Sequence, residues 1–167
     1  ELLELAGTAE EIRTFLTANP AWPDRALLTQ RAEVALFYSS ASPRDVKAFF
    51  ADTPPMTGVG LAAVAAALVA DKDEAAAKAA AAKAWVEFDI PAGHEADVLE
   101  RIGHLITEAD HKRRLDRLLL NDSRWASARN ERAATIKRTI ARLSAPEKKK
   151  AEACLAVFLR AKNAHQL

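Results

Sequence analysis

Apolar residues recur along this chain at spacings of three and four, and no segment sustains an alternation of period two. Ile12, Phe15 and Leu16 follow this spacing in one segment, and the apolar positions of Leu27–Leu36 follow it in the next. Residues spaced in this way share one face of an α-helix. The pattern therefore predicts a succession of amphipathic helices and no β-sheet.

Helix-start signals recur at short intervals. Thr8 and Glu11 form a capping-box pattern, in which the hydroxyl accepts the N–H three residues on and the glutamate reaches back to the cap. Further starts are predicted at Pro23, Ser42–Pro43, Thr57 or Gly58, Asp73, about His94, Thr107, Asp122–Ser123 and Ser144. Helices are predicted to end near Asn19–Pro20 and at Phe49–Phe50. Helical structure is predicted to be interrupted again at Pro54–Pro55.

The turn Asp71–Asp73 lies between two alanine-rich helices. Helices joined by so short a turn pack antiparallel, and their alanines allow a close approach. The expected fold class is all-α, with about nine helices. We expect antiparallel helical hairpins stacked into a right-handed, solenoid-like superhelix that forms one domain over residues 1–167.

Composition supports this expectation. Half of the residues are hydrophobic, alanine runs are frequent and only 5 glycines occur. No apolar run approaches the roughly 20 residues that a membrane span requires, so no membrane span is expected. Cys154 is the only cysteine, which excludes an internal disulfide and a cysteine metal site. The chain starts at Glu1 without a methionine or a signal peptide, and we expect a processed or truncated piece of a longer protein.

Charge is unevenly distributed. Residues 1–123 carry 13 basic and 20 acidic side chains, whereas residues 124–167 carry 11 basic and 3 acidic ones. The basic end includes a run of cationic residues that forms a possible partner-facing or glycan-facing surface: Arg124, Arg129, Arg132, Lys137 and Arg138. Three interpretations stay open: attraction to the acidic part, docking on a missing domain, or contact with an anionic partner.

The segment Leu105–Leu120 is the best candidate for polar chemistry. Asp110 stands three residues after Thr107, as the acid of a capping box does, and it also has the i+4 spacing to pair with Arg114. His111 shares a face with Leu115 and Leu118, which favours a packing role. The functional alternative is general acid–base catalysis by His111 oriented by Asp110.

Other kinds of site have weak signals. No histidine pair has the spacing of a helical zinc site, although His104 and His111 could approach each other across a turn. Gly58-Val59-Gly60 lacks the strand and the later glycine of a phosphate loop. Nucleic acid is not expected as a partner, because the basic stretch has Trp125 as its only aromatic residue. Trp22, Trp85 and Trp125 are expected to pack in the core.

Four segments in order resemble one family, the soluble lytic transglycosylases of bacterial peptidoglycan, in their N-terminal α-superhelical domain. The matching segments are Asn19–Asp24 with Leu27, Leu28 and Arg31–Glu33; Phe49–Phe50 with Pro54–Gly58; Ala70–Lys72 with Ala75–Ala76 and Ala84–Trp85; and Leu105–Thr107 with Asp110–His111, Arg114, Asp116 and Leu118–Leu119. Together they cover roughly residues 10–130.

The resemblance implies a periplasmic helical domain of an enzyme that cleaves the glycan strand and forms a 1,6-anhydro end. In that family the catalytic glutamate lies in a separate lysozyme-like domain, followed by serine. No glutamate here is followed by serine, so no catalytic residue carries over, and no cofactor or metal is expected.

The sequence thus predicts a non-catalytic scaffold of a peptidoglycan-cleaving lyase that confines the glycan. Its expected partners are its own catalytic domain and peptidoglycan glycan strands. The alternative is a helical-repeat protein–protein interaction module unrelated to the cell wall.

Overall fold

The computed structural model describes residues 7–120 and 129–164 of the chain. Within these ranges the protein is all-helical, as predicted, with nine α-helices and one short 3₁₀ turn at Gly103–Leu105. The helices are α1 Ala9–Ala18, α2 Arg25–Tyr38, α3 Pro43–Phe49, α4 Gly58–Ala70, α5 Glu74–Glu87, α6 Ala92–Ile102, α7 Glu108–Leu120, α8 Arg129–Ile140 and α9 Ala145–Ala164.

The chain groups into two compact units, an N-terminal unit over Glu1–Leu105 and a C-terminal unit over Ile106–Leu167. Each is described by itself. The superhelical arrangement and the single domain over residues 1–167 stay predictions.

Several of the predicted helix starts are confirmed by hydrogen bonds at the caps. Thr8 and Glu11 form the complete capping box of α1. The side chains of Ser42, Thr57 and Asp73 accept the N–H groups of residues three positions on and begin α3, α4 and α5. These caps stabilise their helices because the first N–H groups of a helix have no partner within it.

Two predicted starts are wrong by two residues. Pro23 was expected in the first turn of a helix, but α2 begins at Arg25 after Asp24, whose φ of 58° is left-handed. That conformation cannot continue into a helix, so Pro23 lies in the preceding turn. Helix α6 begins at Ala92 after Pro91, earlier than the predicted His94. The predicted start at Asp122–Ser123 lies outside the described residues.

The core of the N-terminal unit is built on the predicted pair α4 and α5. Lys72, with a φ of 62°, reverses the chain between them. The buried faces are mostly alanine, and Trp85 closes α5 with none of its surface exposed. At Gly58 an added Cβ would lie 2.8 Å from Ile90 Cγ1 and 2.9 Å from Phe88 Cβ. A glycine is therefore required where α4 meets the end of α5.

Trp22 differs from the expected core role. Trp22 is 47% exposed and contacts the edge of Phe15, with ring centroids 5.0 Å apart. It lies in the turn before α2. Trp125 lies outside the described residues.

In the C-terminal unit, α7, α8 and α9 contribute to one apolar cluster. Its buried members are Leu115, Leu118, Ile136, Ile140, Leu143, Ala151 and Leu155. Across the described ranges, no helix is both long and apolar enough to traverse a membrane.

Candidate functional site

The predicted capping box at the start of α7 is present. The N–H of Thr107 donates to Asp110 Oδ2 at 2.8 Å, its hydroxyl donates to the same oxygen at 2.6 Å, and the Asp110 N–H donates to Thr107 Oγ1 at 3.3 Å. The guanidinium beside Asp110 is that of Arg113, at i+3, whereas the sequence predicted Arg114 at i+4. Arg114 is 1% exposed.

These contacts set the charge of Asp110. Burial alone would raise the pKa of its carboxyl, but hydrogen bonds from Thr107 and the charge of Arg113 outweigh burial and lower it. The carboxylate therefore stays ionised and serves the positive end of α7.

His111 is half-buried on the apolar side of α7. Burial is the main cause that lowers its pKa, and the positive charges of Arg142 and Arg114 lower it further against the attraction of Asp110 and Glu108. The imidazole is therefore neutral at neutral pH. Acid–base chemistry at His111 stays the untested alternative to the predicted packing role. Among the described residues, no group of three or more His, Cys, Asp or Glu side chains is placed to hold a metal ion.

The predicted basic surface is partly structural where it is described. Arg132 Nε donates to the carbonyl of Leu118 at 2.8 Å, so it caps the last turn of α7 from α8. Arg138 donates to Thr135 Oγ1 at 3.0 Å, and Lys137 is exposed. Arg124 and the side chain of Arg129 lie outside the described residues.

A buried carboxylate in the N-terminal unit had no role assigned from the sequence. Glu33, on α2, is 1% exposed. Its Oε1 accepts the N–H of Met56 at 2.7 Å, and its Oε2 accepts the N–H of Thr57 at 2.8 Å together with the Thr57 hydroxyl. Thr57 in turn accepts the N–H of Gly60 at 2.9 Å. Glu33 thus completes the cap of α4 from another helix. The one signal in the sequence that could have indicated this role is the position of an acidic residue among the buried apolar residues of α2.

The second site that sequence reasoning missed is a surface cleft between the end of α2 and α6. It has a volume of about 400 Å³ and is lined by Phe37, Tyr38, Asp97, Glu100 and Arg101. On α6 the spacing of Asp97 and Arg101 is i, i+4, with His94 three residues before Asp97. This spacing puts all three on one face, and it was the one signal in the sequence. We name it the α2–α6 cleft.

Tyr38 joins the two helices of this cleft. Its hydroxyl donates to Asp97 Oδ2 at 2.5 Å and lies 2.8 Å from His94 Nδ1. Since the phenolic proton goes to Asp97, the hydroxyl accepts from an Nδ1–H of His94. Burial and then the Asp97 carboxylate raise the pKa of Tyr38 to about 12. The phenol therefore stays protonated at neutral pH and acts as a hydrogen-bonding group.

Arg101 is held in place beside the cleft. Its guanidinium lies 4.2 Å from the centroid of the Phe37 ring, and Nη1 donates to the Phe37 carbonyl. A planar guanidinium stacked on an aromatic ring keeps the orientation of its N–H groups. The cleft can thus offer hydrogen-bond donors and acceptors in fixed directions.

Comparison with known proteins assigns no family to this chain. No family model, no curated protein and no solved structure matches the chain.

Proposed function

We propose that this chain is a non-catalytic helical scaffold domain of a periplasmic peptidoglycan lytic transglycosylase. In this role it supports the catalytic domain and confines the glycan strand. The proposal rests on the four ordered segments that resemble the family, together with what their residues do in the structure.

The supporting observation is that three of these segments meet in one place. Glu33, from the first segment, accepts hydrogen bonds from Met56 and Thr57 of the second. An added Cβ at Gly58, in the second segment, would lie 3.1 Å from the carbonyl oxygen of Ala84 in the third. If the chain shares the packing pattern of this family, residues of the different matching segments are expected to contact one another.

The fourth segment also supports a scaffold role. Thr107 and Asp110 are occupied in capping α7, and Leu118 is part of the apolar cluster of the C-terminal unit. The motif residues thus begin helices and fill cores, which is the role that the resemblance implies for this domain.

Retention by purified peptidoglycan sacculi tests the proposed glycan contact. The full chain is sedimented with sacculi across a salt series, with an unrelated helical protein of similar charge as the control. A contact through the basic residues predicts retention that falls as the salt concentration rises, because exposed charges are screened. Absence of retention at every salt concentration overturns the direct contact with glycan.

The gene sequence beyond the codon for Leu167 tests the second part of the proposal, which is the docking on a catalytic domain. A lysozyme-like segment with a Glu–Ser pair supports the scaffold proposal, and a gene without one contradicts it.

A second candidate is a helical-repeat protein-interaction module unrelated to the cell wall. The exposed aromatic pair Phe15 and Trp22, at 39% and 47% exposure, favours it. Exposed aromatic residues are enriched in protein interfaces. This candidate predicts no retention by sacculi and a different domain, or none, encoded after Leu167.

A further inference from the structure

The α2–α6 cleft has the size of a small-ligand site. Its volume of about 400 Å³ falls within the roughly 300–1,000 Å³ of known ligand pockets. Tyr38 forms one wall and is 47% exposed. The Phe37 ring packs edge-on against Tyr38, with centroids 5.0 Å apart, and Asp97 fixes the phenolic hydroxyl. These two contacts therefore fix the position of the Tyr38 ring at the cleft.

The polar groups of the cleft have mixed charge. Asp97 and Glu100 supply carboxylate oxygens, and Arg101 supplies guanidinium N–H groups. Glu100 is exposed and makes no hydrogen bond or ion pair with the described residues. An anionic ligand would meet the two carboxylates, and a cationic ligand would meet the guanidinium. Neither charge is matched by all three groups.

A neutral ligand with several hydroxyl groups matches all of them. Each hydroxyl has one donor and two acceptor positions, so adjacent hydroxyls can donate to a carboxylate and accept from Arg101. The C–H face of a sugar ring can pack on the exposed Tyr38 ring. We propose that the α2–α6 cleft binds a neutral saccharide. Its source as a peptidoglycan glycan strand rests on the proposed function, whereas the chemistry of the cleft does not.

Titration of the full chain by two-dimensional amide NMR tests this binding. The probes are tri-N-acetylchitotriose and maltotriose, and inorganic phosphate and tetramethylammonium are the charged comparisons. The expected result is a saturable shift of the amides of residues 37, 38 and 97–101 with a trisaccharide and no saturable shift with either ion. Absence of a saturable shift with both trisaccharides, or an equal response to an ion, overturns the proposal.

Two exposed glutamates provide a matched pair of variants. Glu100→Gln removes a carboxylate from the cleft, and Glu87→Gln makes the same change at the exposed end of α5. Loss of a hydrogen bond to a charged group is expected to weaken binding about tenfold for Glu100→Gln, with no change for Glu87→Gln. Equal affinity of the two variants would contradict a role for Glu100 in the cleft.

The outcomes separate this inference from the scaffold proposal. Retention by sacculi without trisaccharide binding in the cleft would overturn the saccharide site and leave the scaffold. Trisaccharide binding in a protein whose gene encodes no lysozyme-like domain would overturn the scaffold and leave the saccharide site.

Discussion

Glu33 and Asp110 are both buried carboxylates that accept the N–H and the hydroxyl of a threonine at the start of a helix, yet they reach that threonine differently. Asp110 is itself the third residue of α7 and reaches back to Thr107. Glu33 reaches Thr57 from α2, across 24 positions of the chain. The third residue of α4 is Gly60, where a capping box would carry its acid.

The comparison shows how one capping arrangement can be built locally or between helices. At Gly60 an added Cβ would lie 2.4 Å from Glu33 Oε2, so the absent side chain leaves room for the carboxylate. The local version fixes only the start of its own helix. The version built between helices also ties α2 to α4, and it therefore couples helix capping to the packing of the N-terminal unit.

The largest expected effect is that of Glu33→Gln. The amide keeps the shape, but its NH2 group replaces one of the two carboxylate oxygens and faces either the N–H of Met56 or the N–H of Thr57. Unpaired buried donors of this kind cost about 3 kcal/mol of unfolding free energy. Urea unfolding followed by circular dichroism measures the loss, and Glu87→Gln, at an exposed site, is the control with an expected change below about 0.5 kcal/mol. Equal effects of the two variants would contradict a capping role for Glu33.

Gly60→Ala is expected to have the next largest effect. Alanine is ordinarily favoured over glycine in a helix by about 1 kcal/mol, but here the methyl group would collide with the Glu33 carboxylate. Displacement of that carboxylate is expected to destabilise the protein by about 2 kcal/mol. Gly93→Ala is the matched control, because Gly93 also lies in a first helical turn and an added Cβ there has no neighbour within 4 Å. Thermal unfolding should show a decrease for the first variant and an increase for the second.

Asp110→Asn is expected to cost less, about 1 kcal/mol, because one local cap and one ion pair are weakened. The effect depends on pH in a defined direction. Since the pKa of Asp110 is lowered in the folded protein, its contribution is complete above the unfolded pKa and is lost as the pH falls through the lower folded value. The difference between wild type and variant should therefore shrink below about pH 3.9, the ordinary aspartate value. Amide hydrogen exchange in α7 measures it, and a constant difference would contradict the ionised cap.

The smallest expected effect on stability is that of Asp97→Asn. The Asp97 carboxylate lies at the surface and accepts a hydrogen bond from the hydroxyl of Tyr38. The chain has one tyrosine, so ultraviolet titration reports Tyr38 alone. The pKa of Tyr38 is raised to about 12, and Asp97→Asn should lower it because the acceptor loses its charge. Tyr38 should then ionise at lower pH in the variant. An unchanged titration would show that Asp97 does not accept the phenolic proton.

Local features could be predicted from the sequence, and features between distant residues could not. The caps at Thr8, Thr57 and Thr107 are confirmed because each accepts an N–H within the next turn. The role of Glu33 depends on α4, and Tyr38 meets Asp97 across 59 positions. No pattern of spacing along one helix contains such contacts.

Two other differences have local physical causes. The left-handed Asp24 delays α2, so a proline that fits a first helical turn lies outside it. Trp22 shows that a large apolar side chain in a turn can stay half-exposed. Trp85, by contrast, lies on the inner side of α5 and is fully buried.

The most direct test of the capping scheme moves the acid from α2 to α4. Glu33→Gly removes the carboxylate together with the Cβ that would lie 3.1 Å from an added Cβ at residue 60. In this background Gly60→Glu supplies an acid at the third position of α4, as Glu11 does in α1, and Gly60→Ala is the control for the loss of the glycine. Urea denaturation compares the unfolding free energies of the two double variants. If Glu33 acts as the acid of the α4 cap, Glu33→Gly/Gly60→Glu is more stable than Glu33→Gly/Gly60→Ala by about 1 kcal/mol. A glutamate variant that is no more stable than the alanine variant would contradict this account.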